Sequence, residues 1–116
     1  MGFVADSLNL IRLNRYEAAA KLIERHLEDQ EITRASKIGL MSWIGECYLR
    51  MEDRGRAARW FEAAGRSALS CTELSEVERE RRAMLEFEQA LSLFEAVSDL
   101  DGMKRVASAK YSLMTR

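Results

Sequence analysis

Proline is absent from this chain of 116 residues, where average usage would supply about six. Without it no helix is forcibly broken, so nearly continuous helix joined by short glycine, asparagine or aspartate turns is expected. Histidine occurs once, as His26, which excludes any mechanism or metal site that needs two. The two cysteines, Cys47 and Cys71, make no disulfide framework. Cys47 falls mid-helix as a small core residue, and a reducing cytoplasm is the expected location. The six glycines are isolated, so there is no phosphate-cradling loop. No apolar run is long enough to span a membrane. The N-terminus carries neither a basic n-region nor an apolar h-region, so no signal peptide is expected. Asp6 stands where a myristoylation signal beginning Met1-Gly2 would need serine or threonine.

An excess of charge of one sign is also missing. Eighteen basic and nineteen acidic side chains leave a net charge of -1, which argues against general nucleic-acid binding, a function that needs surplus cations for the phosphates. What is abundant is alanine, leucine, glutamate and arginine, all strong helix formers. Hydrophobic residues at 47% rule out a disordered chain, and the length suits one domain, residues 1–116.

Residues 38 to 71 organise the rest. Ile44, Tyr48 and Met51 lie three and four apart, a stripe on one helix face. Ala57, Phe61, Ala64 and Ala68 repeat the pattern on a second helix, with Glu52-Asp53-Arg54-Gly55 between. Gly45 and Ala57 are small enough to let the helix axes approach, and Tyr48 and Phe61 fill the space on either side. An antiparallel helical hairpin follows. The order Met41, Ile44, Gly45, Tyr48, then Ala57, Phe61 and Ala64, resembles a tetratricopeptide repeat, whose signature runs large-x-x-Leu-Gly-x-x-Tyr then Ala-x-x-x-Phe over about 34 residues. The resemblance implies an all-α, right-handed solenoid of about three antiparallel hairpins that binds proteins rather than catalysing a reaction.

Before this hairpin, residues 3 to 13 predict a helix, Asn14-Arg15 a break, and Tyr16, Ala19, Ala20, Ile23 and Leu27 a second helix over about 16–29. Ala19 recurs as Ala57, 38 positions on. Thr33 or Ser36 is the expected N-cap of the next helix and Asp53 of the one after. Ser70 or Thr72 is the candidate cap for the third hairpin. There Leu74, Val77, Met84, Leu91 and Phe94 predict one long helix, about 73–98, with an apolar face broken at Arg81 and Glu88. Ser98 to Gly102 predicts the turn. A last helix, about 103–114, carries Val106, Ala109, Leu113 and Met114. With Tyr111, and with Leu8 and Ile11 near the other end, it leaves apolar strips that self-association into a homodimer would cover.

Chemistry finds little footing. His26 is expected as a partly exposed helix residue. Glu24 and Glu28 beside Lys21 and Arg25 form the usual helix-supporting pattern. The run from Glu76 to Arg82 predicts a solvated face, and Arg54, Arg56, Arg59 and Arg66 give one helix a basic bias. Within the resembled family the first helix of each hairpin lines a concave binding face. That implies Ser42, Trp43, Glu46, Leu49 and Arg50, with Leu8, Ile11 and Arg12, as protein-binding residues. The family's lysine–asparagine carboxylate clamp would fall on Val4 and Leu8, both apolar, so it is absent. A mixed, apolar surface of this kind suits an amphipathic helix or extended apolar segment. No cofactor is expected. A secretion-type chaperone holding one polypeptide is the nearest rival; a nucleic-acid-binding domain and a small helical enzyme stand behind it.

Overall fold

Three turns of one design set the architecture. Asn14, Glu52 and Ser98 take left-handed backbone conformations, at φ 60°, 61° and 57°. The amide after each reaches back five residues: Arg15 N–H donates to the Leu10 carbonyl (2.8 Å), Asp53 to Tyr48 (3.0 Å) and Asp99 to Phe94 (2.9 Å). The left-handed residue itself donates three back, to Ile11, Leu49 and Glu95. This pair of bonds satisfies carbonyls that a helix end otherwise leaves orphaned, and reverses the chain within three residues. Asparagine adopts the conformation readily; glutamate and serine do so at some cost.

The structure, a computed structural model, describes residues 2–115. Among them there are six α-helices and no strand: α1 Phe3–Arg12, α2 Tyr16–His26, α3 Arg34–Arg50, α4 Arg54–Leu69, α5 Glu76–Ala96 and α6 Leu100–Met114. Every extensive interface joins helices adjacent in sequence, the α4–α5 contact being the largest. Among the described residues no helix is long and apolar enough to cross a membrane.

Caps fix where the helices begin. Thr33 accepts from Ser36 N–H and Asp53 from Arg56 N–H, each at 3.1 Å. The cap of α5 is Ser75, neither Ser70 nor Thr72. Ser75 and Glu78 exchange bonds at 3.2 and 3.1 Å in a reciprocal capping box. The long helix is unbroken as expected, though it starts three residues later. Helix α2 ends at His26, short of 29. Helix α6 begins at Leu100 because Asp99 caps it, accepting from Gly102 N–H at 3.0 Å. Gly102 is therefore not a turn residue; it lies in the first helical turn, buried.

Glycine and phenylalanine meet at three successive interfaces. A Cβ on Gly45 would lie 3.0 Å from the Phe61 ring, one on Gly65 2.6 Å from Phe87, and one on Gly102 2.5 Å from Phe94. Each ring is wholly buried, and each seats against the backbone of a facing helix. The inward stripe of α5 is thus Ala83, Glu86, Phe87, Ala90 and Phe94. Val77, expected on the apolar face, is 63% exposed, because at 3.6 residues per turn it stands well round the helix from the line of Ala83, Phe87, Ala90 and Phe94. In α6, Val106 and Leu113 turn inward while Tyr111 and Met114 face out.

Two buried carboxylates tie the layers together. Glu62 of α4 receives Arg66 at 3.1 Å and two bonds from Arg105 of α6, at 3.0 and 3.1 Å. Glu86 of α5 receives Arg82 Nε at 2.7 Å and the Ser42 hydroxyl of α3 at 3.1 Å. The expected solvated charge run on α5 is in part structural, since Glu78 caps the helix, Arg79 donates to the Leu74 carbonyl at 3.2 Å, and Arg82 holds Glu86. On α2 the ion pair is Glu17–Lys21 at 3.4 Å rather than one made by Glu24 or Glu28.

Candidate interaction surface

Where the first two hairpins meet there is a cleft of about 260 Å³ lined by Ile11, Tyr16, Trp43, Glu46, Cys47 and Arg50. Four of these residues come from α3 at spacings of three and four, so they share one helix face. Ile11 enters from the last turn of α1 and Tyr16 from the start of α2. The first left-handed turn fixes Tyr16, whose hydroxyl donates to Asn14 Oδ1 at 2.9 Å. The indole of Trp43 is half-buried, packed on the core at one side and open to the cleft at the other. Cys47 forms the floor at 2% exposure. Its thiol is pushed up by burial, which outweighs the lowering by Arg50 and is helped slightly by Glu46, so it is a packing group rather than a nucleophile. Arg50 is exposed, and among the described residues it has no hydrogen-bond or ion-pair partner.

Of the residues expected at the surface, Ile11, Trp43, Glu46 and Arg50 are brought together here. Leu8 and Arg12 lie elsewhere on α1, in a shallow depression with Ala5, Asp6 and Asn9. Ser42 faces α5 and is engaged by Glu86. Leu49 is half-buried against the core. Tyr16 was not expected in the surface, because its role as the aromatic after the turn concealed its second, solvent-facing edge. Nor was the groove of about 400 Å³ between α3 and α5, where Ala35, Ile38, Leu74 and Leu85 lie beside Glu78, Arg81 and Arg82. Leu85, 60% exposed, follows the Ala83 and Phe87 stripe too closely to stand out as a separate face.

The remaining candidates have structural partners. His26 stacks on Phe3, with centroids 3.9 Å apart and planes 13° from parallel, and its Nδ1 donates to the Leu22 carbonyl at 2.9 Å. Arg56 lies over the Tyr48 ring at 5.5 Å and pairs with Asp53 at 3.3 Å. Set against protein-family models, curated proteins and solved structures, the chain matches none.

Proposed function

We propose that this chain is a tetratricopeptide-like helical-repeat module, an adaptor, assembly factor or scaffold that acts without catalysis in the cytoplasm. On this reading its hairpins stack as a right-handed solenoid. The face formed by α1, α3 and α5 receives an amphipathic helix or an extended apolar segment of a protein partner. Three equivalent turns support the repeat, as do the neighbour-to-neighbour packing and an outline of 45 × 34 × 18 Å, one pair of helices thick.

The observation that carries the binding site is the cleft beside Trp43. An indole half-open over an apolar floor is the type of anchor around which binding energy concentrates. Arg50 at its rim, free of internal partners, offers a carboxylate a bidentate bond. A peptide that places an apolar side chain beside an acidic one therefore fits best.

Selection of a displayed helical-peptide library on the purified protein tests this. Enriched peptides should pair an apolar with an acidic residue and should change the fluorescence of a Trp60→Phe variant, in which Trp43 is the sole indole. Trp43→Ala should weaken their binding at least tenfold, and Arg50→Ala should weaken acidic peptides selectively. Enrichment that survives both substitutions removes the cleft as the site.

A further inference from the structure

The cleft beside Trp43 has one charge that the peptide reading leaves without a role. Glu46 and Arg50 stand one helical turn apart on α3, both lining the cleft. A glutamate followed four residues later by a cation usually closes an ion pair along the helix. Elsewhere in this chain it does: Glu17 meets Lys21 at 3.4 Å and Glu62 meets Arg66 at 3.1 Å. Glu46 and Arg50 make no such pair. Among the described residues neither side chain has a hydrogen bond or ion pair. The cleft thus carries two opposite charges in a fixed order along α3, both open to a ligand.

One turn before Trp43 the same face presents Gly39, exposed and with nothing within 4 Å of its Cβ position. Glycine weakens the middle of a helix, and repays that only where something must come close. The three buried helical glycines, Gly45, Gly65 and Gly102, each seat a phenylalanine ring from a neighbouring helix. Gly39 offers the same close approach on the open side. Gly39, Trp43, Glu46 and Arg50 therefore form one line, at spacings of four, three and four. A helix laid along it meets a seat for a large side chain, an indole, an anion and a cation, in that order.

Charge complementarity gives the occupant a direction. Laid antiparallel to α3, a partner helix presents an acidic residue to Arg50 and, four residues on, a basic one to Glu46. Apolar residues follow three and then four further on, the first against Trp43 and the second, a large one, over Gly39. Acidic before basic at a spacing of four also supports the partner's own helix better than the reverse order, which a parallel helix would need. We propose that the open face of α3 selects an amphipathic helix of a protein partner bound antiparallel, Glu46 setting its direction and Gly39 seating its largest side chain. The proposal rests on the cleft beside Trp43 being the binding site.

The test selects the displayed helical-peptide library on two proteins, the parent and a variant combining Glu46→Arg with Arg50→Glu. The variant reverses both charges at positions without internal partners, so circular dichroism should show the parent's helix content. The parent should enrich acidic before basic at a spacing of four, with a large apolar residue seven beyond the basic one. The variant should enrich basic before acidic. Each set should bind its own protein at least tenfold more tightly than the other, because exchange brings like charges together. Gly39→Leu should keep the helix content and weaken the parent's peptides at least tenfold. Basic before acidic on the parent, the parallel result, would overturn the proposal, as would the same order on both proteins. If Trp43→Ala still abolishes binding in those cases, the cleft stands as the site. Peptides that survive Trp43→Ala, or no enrichment at all, would overturn both readings. A free protein of twice the monomer mass that Glu46→Arg returns to monomer would overturn the proposal by giving this face to a second copy.

Discussion

Arg105 of α6 grips Glu62 of α4 with two hydrogen bonds, Nε at 3.0 Å and Nη2 at 3.1 Å, across 43 positions of sequence. The Glu62 side chain is 10% exposed, and α6 otherwise rests on α5. This contact ties the last helix to the centre of the molecule. Burial alone would raise the carboxyl of Glu62, but the bonds from Arg105 and Arg66 outweigh it and hold the group below the ordinary glutamate range.

A depressed folded value means that the carboxylate's stabilisation is full above the unfolded value, about 4.3, and is lost as the pH falls through the folded one. Glu62→Gln should therefore cost about 1–3 kcal/mol at pH 7. The gap from the parent should close as the pH drops below about 4. Urea titrations at pH 7 and pH 3 measure both; an equal gap at the two would mean that the charge contributes nothing.

Glycine-to-alanine substitutions should split by position. In an open helix the change stabilises by about 0.5–1 kcal/mol, and Gly39, with nothing within 4 Å of its Cβ position, should follow that rule. Gly65→Ala and Gly102→Ala should instead destabilise by about 1–3 kcal/mol, since a rigid ring must move. Melting temperatures of the three variants decide it.

Phe61→Ala should cost about 3–5 kcal/mol, as for a fully buried aromatic. Ser7→Ala should do the reverse. Ser7 stands in the first hairpin where Gly45 stands in the second, and its buried hydroxyl has no hydrogen-bond partner among the described residues. Removing it should leave stability unchanged or raise it by about 1 kcal/mol. Thermal melts of both variants provide the check.

At the second turn, Glu52→Gly relieves a left-handed non-glycine residue and should stabilise by less than about 1 kcal/mol, whereas Glu52→Val should destabilise by about 1–2 kcal/mol. Equal melting temperatures would mean that the turn is not under strain.

The hairpins were legible in the sequence because the small and large residues that build them are apolar letters at helical spacing. Gly45, Phe61, Ala57 and Ala64 could be read directly. The third hairpin was harder, for a physical reason: its buried stripe includes Glu86, whose charge is met by Arg82 and Ser42, so a core position carries a surface letter. Gly102 misled in the opposite sense, a breaker by type but a close-contact residue in place. The Ser75-to-Glu78 cap was written plainly as serine followed three residues later by glutamate, but the nearer Ser70 and Thr72 competed for the role. Most of the cleft was visible: Trp43, Glu46 and Arg50 on α3, and Ile11 on α1. The part that Tyr16 plays depends on how the first hairpin turns at Asn14, which spacing along one helix does not encode.

Because each helix leans chiefly on the ones before and after it, most contacts are short in sequence, and that governs time. Chains with such local contacts fold in microseconds to milliseconds. The broad α4–α5 contact in the middle is the expected starting point of folding, with the outer hairpins added in either direction. Run backwards, the same geometry makes the molecule unravel from its tips. Amide protons of α1 and α6 should exchange with solvent first, and those beneath Phe61 and Phe87 last.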